Sequence, residues 1–336
     1  MKTLRRIDRK TIQLLLISVA LFIIMGILRG DRFLRAKNIE SMLFQLVEPG
    51  LFAICIGFAY MSRGMDLSIV SIANLVGVVN GMILRTCLAE DGSNAGVLLF
   101  VCLCVAIGIG LLCGAVNAFF ISNVGIFPIL VTLGTQNMFM GIAMALTQGR
   151  AEGNFPQLLL DFGNAKIGFL PLITLLFLIL YALLCVLVHK TPYGLKLQWM
   201  GSNSRVTWYT GIDNPRITYI TYMISGTLAA LAGIVIMART NSAKADYGTT
   251  YVFQALLTCV LAGISPLGGT GKMYNLILSI IAIQITSTGF NMLRISALIR
   301  DSIFGVLLVT SIVIDFATEA RRTRRLNRAA IRESGG

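Results

Sequence analysis

Apolar runs of roughly 20 residues follow one another along almost the whole chain, separated by short polar, glycine-rich or basic segments. A run of that length is what an α-helix needs to cross a bilayer. The alternating ten-residue segments of a membrane β-barrel are absent from the pattern. The runs predict spans at 11–28, 43–61, 67–84, 96–115, 126–147, 167–188, 217–238, 251–263, 273–292 and 299–316. The eighth is short and reads as a broken or re-entrant helix; dropping it and one neighbour gives an alternative with eight spans. The expected fold class is all-α, a polytopic membrane protein with about ten transmembrane helices. A single membrane domain covers 1–316, a basic tail covers 317–336, and no soluble domain fits between the spans.

Composition agrees with the pattern. Of 336 residues 56% are hydrophobic and 13% charged, where soluble domains carry about a quarter charged residues. The net charge of +13 does not point to nucleic acid, because the basic residues sit at the ends of the chain and between apolar runs. Both "MKTLRRIDRK" and "RRTRRLNRAAIR", with the segment 189–216, fall on one side of a ten-span arrangement, which identifies that side as cytoplasmic. About 17 Lys and Arg then lie inside and about 11 outside. The first run is too long for a signal-peptide core and no small-residue cleavage site follows it, so it reads as a retained helix. Cysteines at 55, 87, 102, 104, 113, 185 and 259 mostly lie inside apolar runs and read as small packing residues, not metal ligands.

The stretch "GISPLGGTGKMYN" from Gly263 ends in Gly271-Lys272 and raises the question of a phosphate-binding loop. Such a loop needs glycine five positions before the Gly-Lys pair and Ser or Thr after it, and Pro266 and Met273 stand there. Gly263, Gly268, Gly269 and Gly271 read instead as a tight turn after the short eighth span. The chain carries no ATPase motif and is not expected to be an enzyme. His189, its one histidine, stands at a helix end without a ligand cluster and reads as a C-terminal cap. Gly110 and Gly114, and the small residues Gly226, Ala229, Ala230 and Gly233, have the spacing of close helix packing, within one subunit or across a dimer contact.

Three acidic residues stand at membrane depth, where a carboxylate costs about 2.5–3.5 kcal/mol on insertion scales. Asp315 lies beside the basic tail and reads as an interfacial partner for it. Glu48 precedes Pro49-Gly50; it lines a polar path, or it reaches the interface or pairs with an arginine there. In "MSRGMDLSIVS", Asp66 or Ser68 caps the next helix, or Asp66 lines a transport path.

Four segments together resemble ribose-type sugar permeases, the membrane subunits of bacterial ABC importers. "RGMDLSIVS" is similar to their G-G-I-D-L-S-V-G-S signature. "GAVNAFFISNVGIFPILVTLGTQNMFMGIA" matches a second motif through Asn117, Pro128, Thr132, Leu133, Gly134 and Thr135. "HKTPYGLKLQWMGSNSRVTWYTGID" matches a third through Thr191, Gly194, Gly201, Asn203, Gly211 and Ile212, and "LAGISPLGGTGKM" matches the fourth. Arg63 and Val70 stand where the first motif has glycines, and Ala262 replaces one in the last.

The resemblance implies a permease dimer, of two copies or of a copy and a paralogue, in the bacterial inner membrane. It also implies ATPase subunits on the cytoplasmic face that bind ATP and Mg, and a periplasmic solute-binding protein that delivers a sugar. This chain would bind no cofactor and no metal. Glu48, Asp66, Ser68, Asn117, Thr132 and Thr135 become candidates for the translocation path or its helix turns. In the cytoplasmic loop, a turn at Gly201, a cap at Ser202 or Asn203 and a stop at Gly211 frame a short helix. It would present Arg205 and Trp208 as an ATPase-coupling knob, with Ile212 closing the motif. An ion-coupled secondary transporter is the rival reading, since broken helices and buried acids also suit it.

Overall fold

The structure is a computed structural model that describes residues 9–88 and 95–334, with side chains described at 10–87, 96–314 and 316. The chain order is α1 (Arg9–Phe33), α2 (Ala36–Gln45), α3 (Val47–Met61), α4 (Ile69–Leu88), α5 (Ala95–Ser122), α6 (Pro128–Thr147) and α7 (Gln157–Asn164). It continues through α8 (Leu172–Lys190), α9 (Pro192–Ser202), α10 (Ser204–Tyr209), α11 (Asn214–Thr240), α12 (Tyr251–Ala262), α13 (Leu276–Met292) and α14 (Ala297–Ser334). Nine segments among the described residues are long and apolar enough to cross a membrane, and the shorter apolar α12 stands among them. The fold is all-α and polytopic. The side chain of Asp315 lies outside the described residues.

Local chemistry explains where the spans differ from their expected bounds. The second runs from Ala36 to Met61 as two helices, α2 and α3. Pro49 has no N–H to give the carbonyl of Gln45, and α2 stops there. The sixth span begins at Leu172 rather than 167: residues 166–171 form a hairpin in which β2 (Lys166–Ile167) pairs with β3 (Leu170–Pro171). Gly168 turns that hairpin at φ 64° and Pro171 precedes the first turn of α8. A second small pairing joins β1 (Glu152–Gly153) to β4 (Ser242–Ala243), beyond the ends of α6 and α11. The last span continues without a break into the tail, since α14 reaches Ser334.

Buried helices α3 and α11 form the centre; every α3 residue from Gly50 to Met61 is buried. α11 packs on α5 through glycine. A Cβ added at Gly110 would stand 2.5 Å from the carbonyl oxygen of Gly226, and one at Gly226 would collide with the carbonyl of Gly110. Gly114 meets the backbone of Tyr222 in the same way, and Gly233 meets that of Ala73 on α4. The small-residue spacings therefore serve packing inside this chain. Lipid tails give helices no hydrophobic reason to associate, so such backbone approach supplies dispersion contact that larger side chains would prevent. The helices α1 and α14 lie outermost: few residues in their apolar windows are buried.

Gly226→Ala should lower the melting temperature of the detergent-solubilised protein by an amount equivalent to about 1–3 kcal/mol of overpacking. Gly108→Ala, on α5 but with nothing within 4 Å of the added carbon, should leave it unchanged. Equal melting temperatures for the two variants would contradict the account of the α5–α11 contact.

Candidate functional site

The turn between α3 and α4 sits at one end of the bundle and carries Asp66, which is fully buried. Its Oδ1 accepts the backbone N–H of Ser68 at 3.1 Å and the Ser68 hydroxyl at 2.7 Å. Its Oδ2 accepts the hydroxyl of Ser225, from α11, at 2.6 Å. Asn117 on α5 donates to Ser68 Oγ at 2.8 Å, and Thr135 on α6 donates to Asn117 Oδ1 at 2.6 Å. Thr132 donates to the carbonyl of Met65 at 3.1 Å, and the Tyr222 hydroxyl reaches the same oxygen at 3.4 Å. Five residues singled out in the sequence, Asp66, Ser68, Asn117, Thr132 and Thr135, thus converge on one hub joining α4, α5, α6 and α11. All five are buried; Asp66, Ser68, Asn117 and Thr135 are linked side chain to side chain, while Thr132 bonds backbone carbonyls. Ser225 and Tyr222 were missing from the sequence reading; the available signal was that Ser225 adjoins the small-residue face at Gly226.

Glu48 is not part of the hub. It lies in the first turn of α3, with roughly 20 Å of helix between it and Met61. Arg239, in the last turn of α11, donates to its Oε1 at 2.6 Å, and the hydroxyl of Tyr251, first residue of α12, donates to Oε2 at 3.0 Å. Of the alternatives open for Glu48, the structure shows pairing with an arginine. The sequence did not name which arginine this would be, because Arg239 is 191 positions away from Glu48.

At the hub end, α10 forms a short exposed knob. Asn203 caps it, its Oδ1 accepting the N–H groups of Arg205 at 3.1 Å and Val206 at 3.2 Å. Gly211, at φ 80°, stops it, and the Ile212 N–H returns to the carbonyl of Thr207 at 3.0 Å. Thr207 is buried and its hydroxyl bonds Asn214 Oδ1 at 3.0 Å, which fixes the knob to α11. Trp208 and Tyr209 stand 66% and 80% exposed with their rings edge to face. Gly201 corrects the expectation of a turn: it lies inside α9, and the chain changes direction at Asn203, which is extended. The reason glycine stands at 201 is space. A side chain there would collide with the carbonyl of Met61, and its Cβ would lie 2.6 Å from the N of Gly269.

That contact brings three motifs together. The turn of Gly263, Gly268, Gly269 and Gly271 has positive φ at all four positions, angles that L side chains resist. Gly263 ends α12, and the Gly269 N–H points at the carbonyl of Met61 at 3.4 Å. A Cβ on Gly268 would stand 2.5 Å from that of Arg63. Arg63 is itself left-handed at φ 64°, which costs a non-glycine residue about 1–2 kcal/mol. His189, expected to cap its own helix, accepts the N–H of Met273 at 3.1 Å and so ties α8 to the far side of the glycine turn. The glycine turn, the end of α9 and the turn leading to Asp66 therefore form one backbone-to-backbone junction. An apolar cavity of about 740 Å³ among α3, α4, α5, α7, α8 and α11 is separate; none of the residues assigned to the path, the coupling loop or the glycine turn lines it.

Residues 38–312 match the family described as "Branched-chain amino acid transport system / permease component". The chain belongs to this permease family. The permease is 29% identical over 303 residues to the "Autoinducer 2 import system permease protein LsrD" of Photorhabdus luminescens, covering 88% of each chain. It is 27% identical over 288 residues to the protein of that name from Yersinia enterocolitica, covering 83% of this chain and 84% of the relative. No solved structure matches the permease. Together with its spans, this makes it a multi-pass inner-membrane permease subunit of the ABC importer class, as its resemblance to ribose-type permeases implied. Membership decides against the ion-coupled reading.

Glu48→Ala should destabilise the permease by about 3–5 kcal/mol, because it strands the Arg239 guanidinium. The double variant with Arg239→Met should recover part of that loss, measured by thermal unfolding in one detergent. A double variant that falls by the sum of its singles would show that the pair is not coupled.

Proposed function

We propose that the permease forms half of a gate for a sugar-like solute and draws its power from ATPase subunits on separate chains. The end bearing α10 faces the cytoplasm, as the basic segments suggest. The ATPase subunits, holding ATP and Mg, dock on the knob of Arg205, Trp208 and Tyr209. A periplasmic binding protein delivers the solute to the opposite face, and a second permease, identical or paralogous, completes the path. The relatives are named for autoinducer 2, which places small polar, sugar-like solutes first among those to test.

The observation that supports this reading is the combination of exposure and anchorage at α10. Trp and Arg are the residue types that anchor interfaces. Here an exposed Trp-Tyr pair sits on a helix locked at its cap, at Thr207 and at Gly211. Displacement of such a knob is carried as a rigid movement into the junction at Gly201 and Met61, and from there to the turn holding Asp66. Closure of the ATPases would thereby bias the arrangement of α4, α5, α6 and α11 around the hub, which is a two-state change of packed helices. Asp66, Ser68, Asn117, Thr132 and Thr135 act here by holding the helix turns, and Glu48 with Arg239 closes the opposite half.

Trp208→Ala and Tyr209→Ala together should leave folding intact and reduce solute-stimulated ATP hydrolysis and uptake in proteoliposomes by about tenfold or more, as loss of an interface anchor does. The measurement uses the permease co-purified with the ATPase and binding protein of its own import system. Uptake equal to wild type in that variant would refute the knob, and solute flux driven by an ion gradient in the permease alone would refute the ATPase.

A further inference from the structure

The apolar cavity of about 740 Å³ lies in the half of the bundle opposite the hub. Val47, beside Glu48 in the first turn of α3, and Met237, near the end of α11, both line it. α5 and α8 stand on either side. α5 packs on α4, α6, α7 and α11, and α8 packs on α2, α3, α7 and α9, so α7 bridges the two. α7 is itself pressed onto α11, where a side chain at Gly163 would collide with the carbonyl of Ala238. Below this bridge the cavity is a cleft with a mouth between α5 and α8. Phe100 and Leu103 on one side and Leu176 on the other are exposed lining residues. All three belong to membrane spans, so the medium at the mouth is lipid rather than water.

One lining residue breaks the apolar pattern. Asn80, on α4, is 1% exposed and stands about 10 Å inside the end of its span. Its Nδ2 donates to the carbonyl of Cys102 at 3.1 Å. A carbonyl can only accept, so this bond fixes which way the amide faces. Oδ1 is left over, and among the described residues it has no hydrogen-bond partner. Native proteins rarely keep a buried acceptor without a donor. The acidic lining residue, Asp161 on α7, is exposed and takes a bond from Gln157 at 2.9 Å; as a carboxylate it offers no donor.

Water suits the place poorly. A buried water makes about two to four hydrogen bonds, and around Oδ1 the wall is apolar side chain. A bare acyl chain would fill the space and still leave Oδ1 without a donor. An apolar body carrying a hydroxyl meets both demands. We propose that the cleft binds a long-chain alcohol or phenol, which enters from the bilayer between α5 and α8 and donates its hydroxyl to Asn80 Oδ1. The volume falls in the range of pockets that enclose molecules of that size. The site shares no residue with the hub or the knob, and it does not depend on how the permease is powered.

The test photolabels full-length permease in phosphatidylcholine nanodiscs with a diazirine-bearing decanol and, separately, with the methyl ether of the same probe, which cannot donate. Labelled positions are read by mass spectrometry of peptides. The alcohol should label the cleft segments of α4, α5 and α8 about tenfold more than the ether does, and unlabelled decanol should compete. Asn80→Leu should abolish that preference, with thermal unfolding as the check on its fold. Leu231→Trp, which fills the cleft from α11, should suppress labelling by both probes. Equal labelling by alcohol and ether in the wild type would overturn the hydroxyl site and assign the cleft to unselective acyl chains; this comparison needs no variant. Labelling confined to the lipid-facing surfaces of α1 and α14, or a preference for the alcohol that survives in Asn80→Leu, would overturn it too.

Discussion

A carboxylate shut away from water must be surrounded by donors, and the organisation of this permease follows from how that demand is met at Asp66. Hydration lost on burial is worth several kcal/mol even after relaxation, so the side chain persists only because Ser68 and Ser225 face it. Those hydroxyls need partners in turn, which brings in Asn117 and, through it, Thr135. Each link comes from a different helix. The requirement of one acid thereby fixes the mutual positions of four helices at the end where the chain also presents its exposed knob.

The same constraint, applied to backbone, accounts for the glycines. In a low-dielectric surrounding no carbonyl or N–H is left to solvent, and turns at the bundle end must find partners among other turns. The Met61 carbonyl lies against Gly201 and receives Gly269, an approach that a side chain at either glycine would block. Movement of the knob cannot be absorbed there by side-chain rotation, because backbone touches backbone. Such a joint is stiff, which is the property a gate needs if work arrives at one surface and is used inside the membrane. Arg63 is the exception in a segment of bare backbone, a left-handed non-glycine residue.

Much of this was legible in the chain itself. Hydropathy alone located the ten apolar helices within a few residues at most bounds, and missed where Pro171 and Gly168 substitute a hairpin for a turn of helix. The cap at Asn203 and the stop at Gly211 were readable because both act within four residues. Glu48 was recognisable as a problem but not as a solution, since Arg239 stands on another helix. The turn assigned to Gly201 was misplaced for a related reason: its glycine answers to Met61 and Gly269, not to its neighbours.

The amino-acid sequence by itself therefore determined the helical kind of the apolar segments and roughly where they run, the ends of α10 and the acids that would need company, because those depend on periodicity and on contacts along a few residues of chain. Only the tertiary structure decided which helix supplies each donor. Asp66 meets Ser225 across 159 positions and Glu48 meets Arg239 across 191. Lipid favours any arrangement that satisfies polar groups internally, and the choice among such arrangements is made by which backbones can come close enough, at Gly110, Gly114, Gly226 and Gly201, to bring those partners within reach.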